Sequence, residues 1–323
     1  MTKSDLRDAA RILKEGNSFL VAGHVNPDGD SLGSICALGL ALQRLGKSPV
    51  LVSPEGVPDL YKFLPGSRQV VRDVPVGRKF DAAVVVDCED ISRLGSVANA
   101  LPSCGRILEI DHHPGGERSS GVQLIDASYA SCGEIVFELL CEVGVKVDSD
   151  IAQCLLTAIV TDTGSFRFSN VKASTLRTAA SLLEAGASIS AIARRVYETR
   201  TLSSAKLLGA ALSTLRTAAN GRIAYASITR DQMTSSQADE AETEGIVNFV
   251  RSVRGAQVGI LFREGVDGTT RVSLRSREGL DISQVARLFD GGGHRAAAGC
   301  TVDRPLNDAM ELVVDAVKKW MGS

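Results

Sequence analysis

Short apolar runs alternate with helical periodicities over the first half of the chain. SFLVAG (18–23) is a continuous apolar run ending in Gly, which predicts a buried strand. SLGSICALGLALQRLG (31–46) follows with helical periodicity and a closing Gly. PVLVS (49–53), AAVVV (82–86) and RILEI (106–110) predict further strands, and VQLI (122–125) a weaker one. Strands separated by helices need crossover connections. The pattern therefore predicts an α/β fold with a mostly parallel, doubly wound sheet covered on both faces. From about 131 to 218 the periodicity is almost wholly helical. Strand patterning returns after Asn220 and Gly221, in RIAYASI (222–228), AQVGILFRE (256–264) and TRVSLRS (270–276). A helix is expected near 240–253, and others over SQVARLFD (283–290) and PLNDAMELVVDAVKKWM (305–321). The chain thus divides into an α/β domain over 1–187, a helical linker over 188–210 and a smaller α/β domain over 211–323.

Composition narrows the class. The 323 residues are 44% hydrophobic and 23% charged, an ordinary globular balance that excludes a disordered chain. A net charge of −2 argues against a dedicated duplex-DNA binder, which needs a broad basic surface. Seven cysteines, an odd number with no Cys-x-x-Cys pair, indicate neither a zinc ribbon nor a disulfide framework. No apolar run approaches the roughly 20 residues that span a bilayer. MTKSDLRDAARILKEGN reads as an amphipathic helix and not as a secretory leader. The expectation is a cytoplasmic protein with no membrane partner. Apolar faces on the first-domain helices would allow a homodimer.

Four motifs begin where predicted elements end, and in open parallel sheets ligands bind outside the carboxyl ends of strands. HVNPDGDSLGS (24–34) offers His24, Asp28 and Asp30, with Pro27 and Gly29 forcing an irregular backbone and Ser31 placed to cap the next helix. In VVVDCED (84–90), Asp87 ends a continuous apolar strand, where a carboxylate is costly unless paired or metal-bound; Asp90 reads as a cap. EIDHHPGG (109–116) sets Asp111, His112 and His113 side by side. One His can ligate while its neighbour faces a substrate, and Asp111 can orient an imidazole. TDTGSFRF (161–168) adds Asp162 after an apolar run.

Together these supply His24, Asp28, Asp30, Asp87, His112 and Asp162 as metal ligands. Oxygen-rich ligation with some imidazole and no thiolate suits Mn²⁺ or Mg²⁺ better than structural zinc. Six side chains fit two metals about 3.5–4 Å apart that share a carboxylate and activate a water for phosphate-ester hydrolysis. GGGHRAAAG (291–299) is a Gly-rich run, which in most proteins is only a flexible loop. Gly291, Gly292 and Gly293 let backbone approach an anion, and His294 adds a donor. Arg275 and Arg277 lie two apart on a predicted strand, hence on one face, and suit phosphate; an ordinary solvated strand face fits the same spacing.

These motifs, in this order, resemble the DHH phosphoesterase family, named for the triplet at 111–113, and GGGHRAAAG resembles the signature of its associated C-terminal domain. Within the family the chain is similar to the nanoRNase/pAp phosphatase group. That resemblance implies hydrolysis of short single-stranded oligonucleotides or of small nucleotides such as 3′-phosphoadenosine 5′-phosphate (pAp). The alternatives are cyclic or linear diadenylate as substrate, or a catalytically silent nucleotide-binding regulator. It implies two Mn²⁺, with Mg²⁺ or Co²⁺ as substitutes. His24, Asp28 and Asp87 would hold one ion, and Asp30, Asp87, His112 and Asp162 the other. It also implies catalytic roles for His113, Asp87 and Asp111, with His113 at the scissile phosphate. Arg275, Arg277 and His294 would grip the substrate's phosphates from across a cleft.

Overall fold

The computed structural model describes residues 2–277 and 279–322, with the side chain of His294 outside that description. Two compact units are present, Met1–Thr199 and Arg200–Ser323. The first runs α1 (Lys3–Glu15), β1 (Ser18–Ala22), α2 (Gly29–Arg44), β2 (Ser48–Val52), β3 (Val70–Val71), β4 (Phe80–Val86), β5 (Cys104–Asp111) and β6 (Val122–Ile125). Four helices follow: α3 (Cys132–Val143), α4 (Ser149–Asp162), α5 (Ala173–Glu184) and α6 (Ile189–Ala193). The strand order is β3-β2-β1-β4-β5-β6, and every neighbouring pair is parallel.

Burial on both faces explains why the strands read as unbroken apolar runs. In β1, Phe19 and Val21 join a core with α1 to α4, while Leu20 and Ala22 join a second core. That second core is closed by the 3₁₀ segment Ile91–Ser103 through Leu94, Val97 and Leu101, which the apolar pattern did not announce. β1 lies between β2 and β4, so the winding reverses there. Such a switch point opens a crevice at the strand ends.

Close helix packing supports that crevice. A Cβ on Gly33 would stand 2.6 Å from the Cys154 carbonyl, and one on Gly133 2.4 Å from the Ala158 methyl. Both glycines let α2 and α3 close on α4. Gly33→Val is expected to destabilise the first unit by about 3 kcal/mol or more, because the obstacle is backbone and cannot swing away. Urea denaturation checks this, and an unchanged midpoint would refute the close approach.

The second unit runs α7 (Leu202–Ser213), β7 (Arg216–Ala218), β8 (Ile223–Ile228), α8 (Arg230–Ser236), α9 (Ile246–Arg251), β9 (Val258–Glu264) and β10 (Thr270–Ser276). It ends with α10 (Ser283–Arg287), β11 (Gly292–His294), β12 (Ala297–Val302) and α11 (Leu306–Trp320). The sheet order is β11-β12-β10-β9-β8-β7, with only β8 and β9 parallel. Alternate residues of β10, Val272 and Leu274, pack on α10 and α11. Leu207 and Ala211 of α7 pack under the other face.

Two expectations change here. The helix expected over 240–253 is a 3₁₀ turn, Ala241–Thr243, and the separate α9, parted at Gly245 with φ +80°. The Gly-rich stretch forms a hairpin: β11 and β12 pair Gly292 with Gly299 and Gly293 with Ala298. Crowding requires two of its glycines, since a Cβ on Gly291 would meet the Gly299 carbonyl at 2.3 Å and one on Gly293 the Ala297 carbonyl at 2.5 Å, whereas Gly292 has open space. Finally, β10 stops at Ser276, so Arg277 lies just past the strand that carries Arg275.

Candidate functional site

The first unit gathers its chemistry where β1, β4 and β5 end. His24 follows β1, Asp87 follows β4, and Asp111 is the last residue of β5 with His112 and His113 directly after it. Asp28 and Asp30 lie at the start of α2, and Asp162 at the end of α4. Asp87 adopts the left-handed conformation at φ +53°, a strained state for a non-glycine residue. The same holds for Asn26 at φ +55°, and for Ser165 and Phe166 just beyond Asp162. Strained backbone clusters around this cleft.

The groups that compose it converge. His24 Nε2 lies 3.4 Å from Asp87 Oδ2 and 4.0 Å from Asp28 Oδ1. His112 Nε2 lies 3.6 Å from Asp30 Oδ2, 3.7 Å from Asp87 Oδ1 and 3.4 Å from Asp162 Oδ2. His24, Asp28 and Asp87 each offer an atom within 4.8 Å of the others, as do Asp30, His112 and Asp162. Asp87 stands between the two groups, facing His24 with one oxygen and His112 with the other.

Three observations fit divalent cations at these groups. Asp87 Oδ1 and His112 Nε2 are buried without any hydrogen-bond partner, a state that is costly unless something else occupies the space between them. The tautomers also fit. His24 Nδ1 lies 2.7 Å from the Val25 carbonyl, which can only accept, so the proton is on Nδ1 and the Nε2 lone pair faces the carboxylates. The His112 ring is bonded in the same way to the backbone of Tyr129. Arg93 Nη2, which can only donate, lies 3.2 Å from the Nδ1 of His24, and the shorter Val25 contact decides that ring's tautomer.

Electrostatics agree. Burial, then repulsion from Asp162 and Asp28, holds Asp30 well above the usual carboxylate range. Burial, then Asp30, does the same to Asp87. Burial followed by Asp28 raises Asp162 to about 7. Burial, with His113 beside it, lowers His112 to about 4. A cluster of carboxylates that resist ionising together, facing neutral imidazoles, is relieved by cations.

Asp28 and Asp111 hold roles that spacing left open. Asp28 itself caps α2, its Oδ1 accepting from the N–H groups of Asp30 and Ser31, so Ser31 is not the cap. Any cation at Asp28 therefore shares Oδ1 or uses Oδ2. Asp111 Oδ1 accepts from His113 Nδ1 at 2.8 Å and from the N–H groups of His112 and His113. Burial alone would raise Asp111, but the bonds from His113 and Arg118 outweigh it and hold the carboxyl below its ordinary range. His113 is driven the other way: burial opposes its charge, yet the Asp111 bond raises it. Asp90 accepts from Ser92 N–H and caps the 3₁₀ segment.

The pH dependence follows from these shifts. Around pH 7 the metal-free native state holds a proton on Asp162, which titrates near 7, that the unfolded carboxylate has lost; Asp30, Asp87 and His113 are shifted in the same direction. Metal-free stability must therefore fall as pH rises through that window. The depressed His112 and His24 pull the opposite way while the unfolded imidazole, near about 6.5, still holds protons, an effect that fades toward pH 8. Because cations displace these protons, the thermal gain from Mn²⁺ over chelator should widen from pH 6.5 to 8. One displaced proton corresponds to about 2 kcal/mol over that range, or roughly 4–8 °C. A gap that stays constant in thermal melts would refute the assignment.

In the second unit, Arg275 is partly buried, donates to the Leu274 carbonyl and lies 3.7 Å from Glu244. Arg277 Nε donates to the Ala256 carbonyl at 2.7 Å, which commits part of its fork to structure. The side chain of His294 lies outside the described residues. A concavity of about 560 Å³ on this unit is lined by Gly291 and also by Arg263, Arg271, Ser273 and Gly299, none of them singled out from the sequence except Gly291. Arg263, Arg271 and Ser273 alternate along β9 and β10, a signal that reads equally well as a solvated strand face. Arg118, discussed below, carried no signal beyond a lone Arg in a polar loop.

Comparison with known proteins bears on this geometry. Residues 18–159 match the DHH family, N-terminal domain, and residues 220–323 match the DHHA1 domain. The chain is 34% identical to a bifunctional oligoribonuclease and PAP phosphatase from Thermus thermophilus, over 97% of this chain and 94% of the relative. A protein of the same description from Bacillus subtilis is 27% identical over 94% of this chain and 96% of its own length. The crystal structure of an exopolyphosphatase-related protein from Bacteroides fragilis superposes with a TM-score of 0.93 at 25% identity, covering 99% of this chain and 98% of that one.

Proposed function

This chain belongs to the DHH family, and from that premise we propose that it hydrolyses very short RNA and the 3′-phosphate of pAp, with Mn²⁺ as its working ion. One observation carries the reading. His24, Asp28, Asp30, Asp87, His112 and Asp162 converge at a strand-end crevice, with Asp87 Oδ1 and His112 Nε2 buried and unpartnered between them. Held by these side chains, divalent cations supply Lewis acidity and make water a nucleophile at neutral pH. The protein's own part is orientation and proton handling. Val25 and Tyr129 fix the ligating imidazoles in one tautomer. His113, its Nδ1 proton donated to Asp111, faces the scissile phosphate and gives a proton to the leaving oxygen as the P–O bond breaks.

We assign phosphate recognition away from the cleaved bond to the second unit, through Arg275, Arg277, Gly291 to Gly293 and His294. Arg275, partly buried and held by its own backbone carbonyl, is presented rather than free to wander. The domain scheme of 1–187, 188–210 and 211–323 belongs to the same proposal, as do a cytoplasmic setting, in line with seven free cysteines, and single-stranded rather than duplex substrates. No helix among the described residues is long and apolar enough to cross a membrane.

The test is turnover by purified protein with Mn²⁺ against pAp, pApA, cyclic diadenylate and RNA of two to twenty-four nucleotides. The expected result is release of mononucleotides from the shortest RNA and of phosphate from pAp, with rates falling as RNA lengthens. Silence on all four with Mn²⁺, Mg²⁺ and Co²⁺ would overturn the hydrolase. A clear preference for cyclic diadenylate would overturn the substrate assignment alone.

A further inference from the structure

We propose that Arg118 is a positioning residue, fixing His113 through Asp111; the inference rests on the reading above, in which His113 meets the scissile phosphate. Arg118 lies in the loop between β5 and β6 and folds its guanidinium back beneath the histidine pair. Only 12% of its side chain is exposed. Nη1 donates to Asp111 Oδ2 at 2.7 Å and to the Cys88 carbonyl at 2.8 Å. Nη2 donates to the His113 carbonyl at 3.1 Å, and Nε to the Gly115 carbonyl at 3.0 Å. One planar fork therefore ties the end of β4, the end of β5 and the following loop to each other.

The decisive point is how Asp111 spends its oxygens. It is 1% exposed and lies within ligand distance of Asp87, His112 and His113, so its position alone would allow it to bind a cation. Oδ1 already accepts from three donors, His112 N–H, His113 N–H and His113 Nδ1. Arg118 occupies Oδ2. A carboxylate oxygen has about two lone-pair sites, so Oδ1 is fully engaged and Arg118 is the charged partner that holds Oδ2. Remove the guanidinium and Oδ2 becomes a buried oxygen without its charged partner, beside Asp87 and His112, which would hold cations. The carboxylate would then turn toward them and release His113, whose Nδ1 has Asp87 Oδ1 at 3.7 Å as its next acceptor. Arg118 thus keeps Asp111 for the imidazole and away from the metals. A lysine has the charge without the fork and can reach only one or two of the four acceptors.

A double-mutant cycle on an RNA dinucleotide with Mn²⁺ tests this, using wild type, Arg118→Lys, His113→Ala and the double variant. The expected result is a loss of about 100-fold in kcat for Arg118→Lys with KM within threefold and metal content unchanged. In the His113→Ala background the same substitution should cost less than threefold, because the residue it acts through is gone. Equal losses in both backgrounds would overturn the inference, and so would loss of bound metal in step with kcat. Arg118→Gln is run alongside with thermal melts of every variant; failure of both Arg118 variants to fold would make the residue purely structural and equally end the proposal. A wild type silent in the same assay would instead strike the phosphoesterase reading.

Discussion

Asp87→Asn is expected to lose about 10³-fold or more in turnover, roughly 4 kcal/mol of transition-state stabilisation, while its metal-free form melts no lower than the wild type at pH 8. The two halves have one cause. Asp87 faces both ligand groups, 3.4 Å from His24 Nε2 and 3.7 Å from His112 Nε2, so an amide there weakens both cation sites. Yet the charged carboxylate is 2% exposed, its Oδ1 has no partner, and Asp30 repels it. Without cations the native fold must either carry that charge or hold a proton there, both at a cost at pH 8, and the neutral amide removes that cost. Turnover with Mn²⁺ and thermal melts in chelator check the two halves separately. Wild-type turnover would end the two-metal assignment, and a chelated variant melting several degrees lower would show that Asp87 serves the fold.

Asp30→Asn should be equally inactive but also less stable in chelator, by about 2–3 kcal/mol. Asp30 is as deeply buried as Asp87, and its carboxyl is raised for the same first reason, burial. Its oxygens, however, are engaged. Oδ2 accepts from Cys132 N–H at 2.7 Å and Oδ1 from Gly133 N–H at 2.9 Å, at the N-terminus of α3. A protonated carboxyl keeps a lone pair on each oxygen and can still accept both bonds. An amide cannot, since its nitrogen only donates, and one buried N–H is left facing another donor. That penalty is about 1–3 kcal/mol, with the lost helix-terminus interaction added. Denaturant titration in chelator compares the two variants directly. Equal stabilities would show that burial, and not bonding, governs both positions.

The contrast marks where sequence reading stops. Asp30 stands out as part of the turn after β1 and Asp87 as the end of an apolar strand, yet nothing in either pattern distinguishes a docked carboxylate from an unpartnered one. The difference comes from α3, a hundred residues downstream of Asp30, whose N–H groups arrive only in the folded chain. Arg118 was missed for a related reason. A lone Arg in GGERSSG reads as solvated, and it becomes a buried fork only because the loop folds back over Cys88 and Asp111. The Gly-rich run at 291–293 carries no strand signal of its own: its composition permits a loop, and its pairing with Ala297, Ala298 and Gly299 of the same motif arises only in the folded chain.

Sequence by itself determined the parallel sheet and the ligand types. Strands buried on both faces must be continuous apolar runs, so β1, β4 and β5 show themselves. A polar residue directly after such a run must sit at the strand's end, so His24, Asp87 and Asp111 show themselves too. Tertiary structure alone decided the division of labour among them. Which oxygen is spent on a helix terminus, which on an imidazole and which is left facing an opposing ligand depends on donors brought from distant segments. A hydrogen bond acts over about 3 Å, and only the folded chain places groups a hundred residues apart within that range.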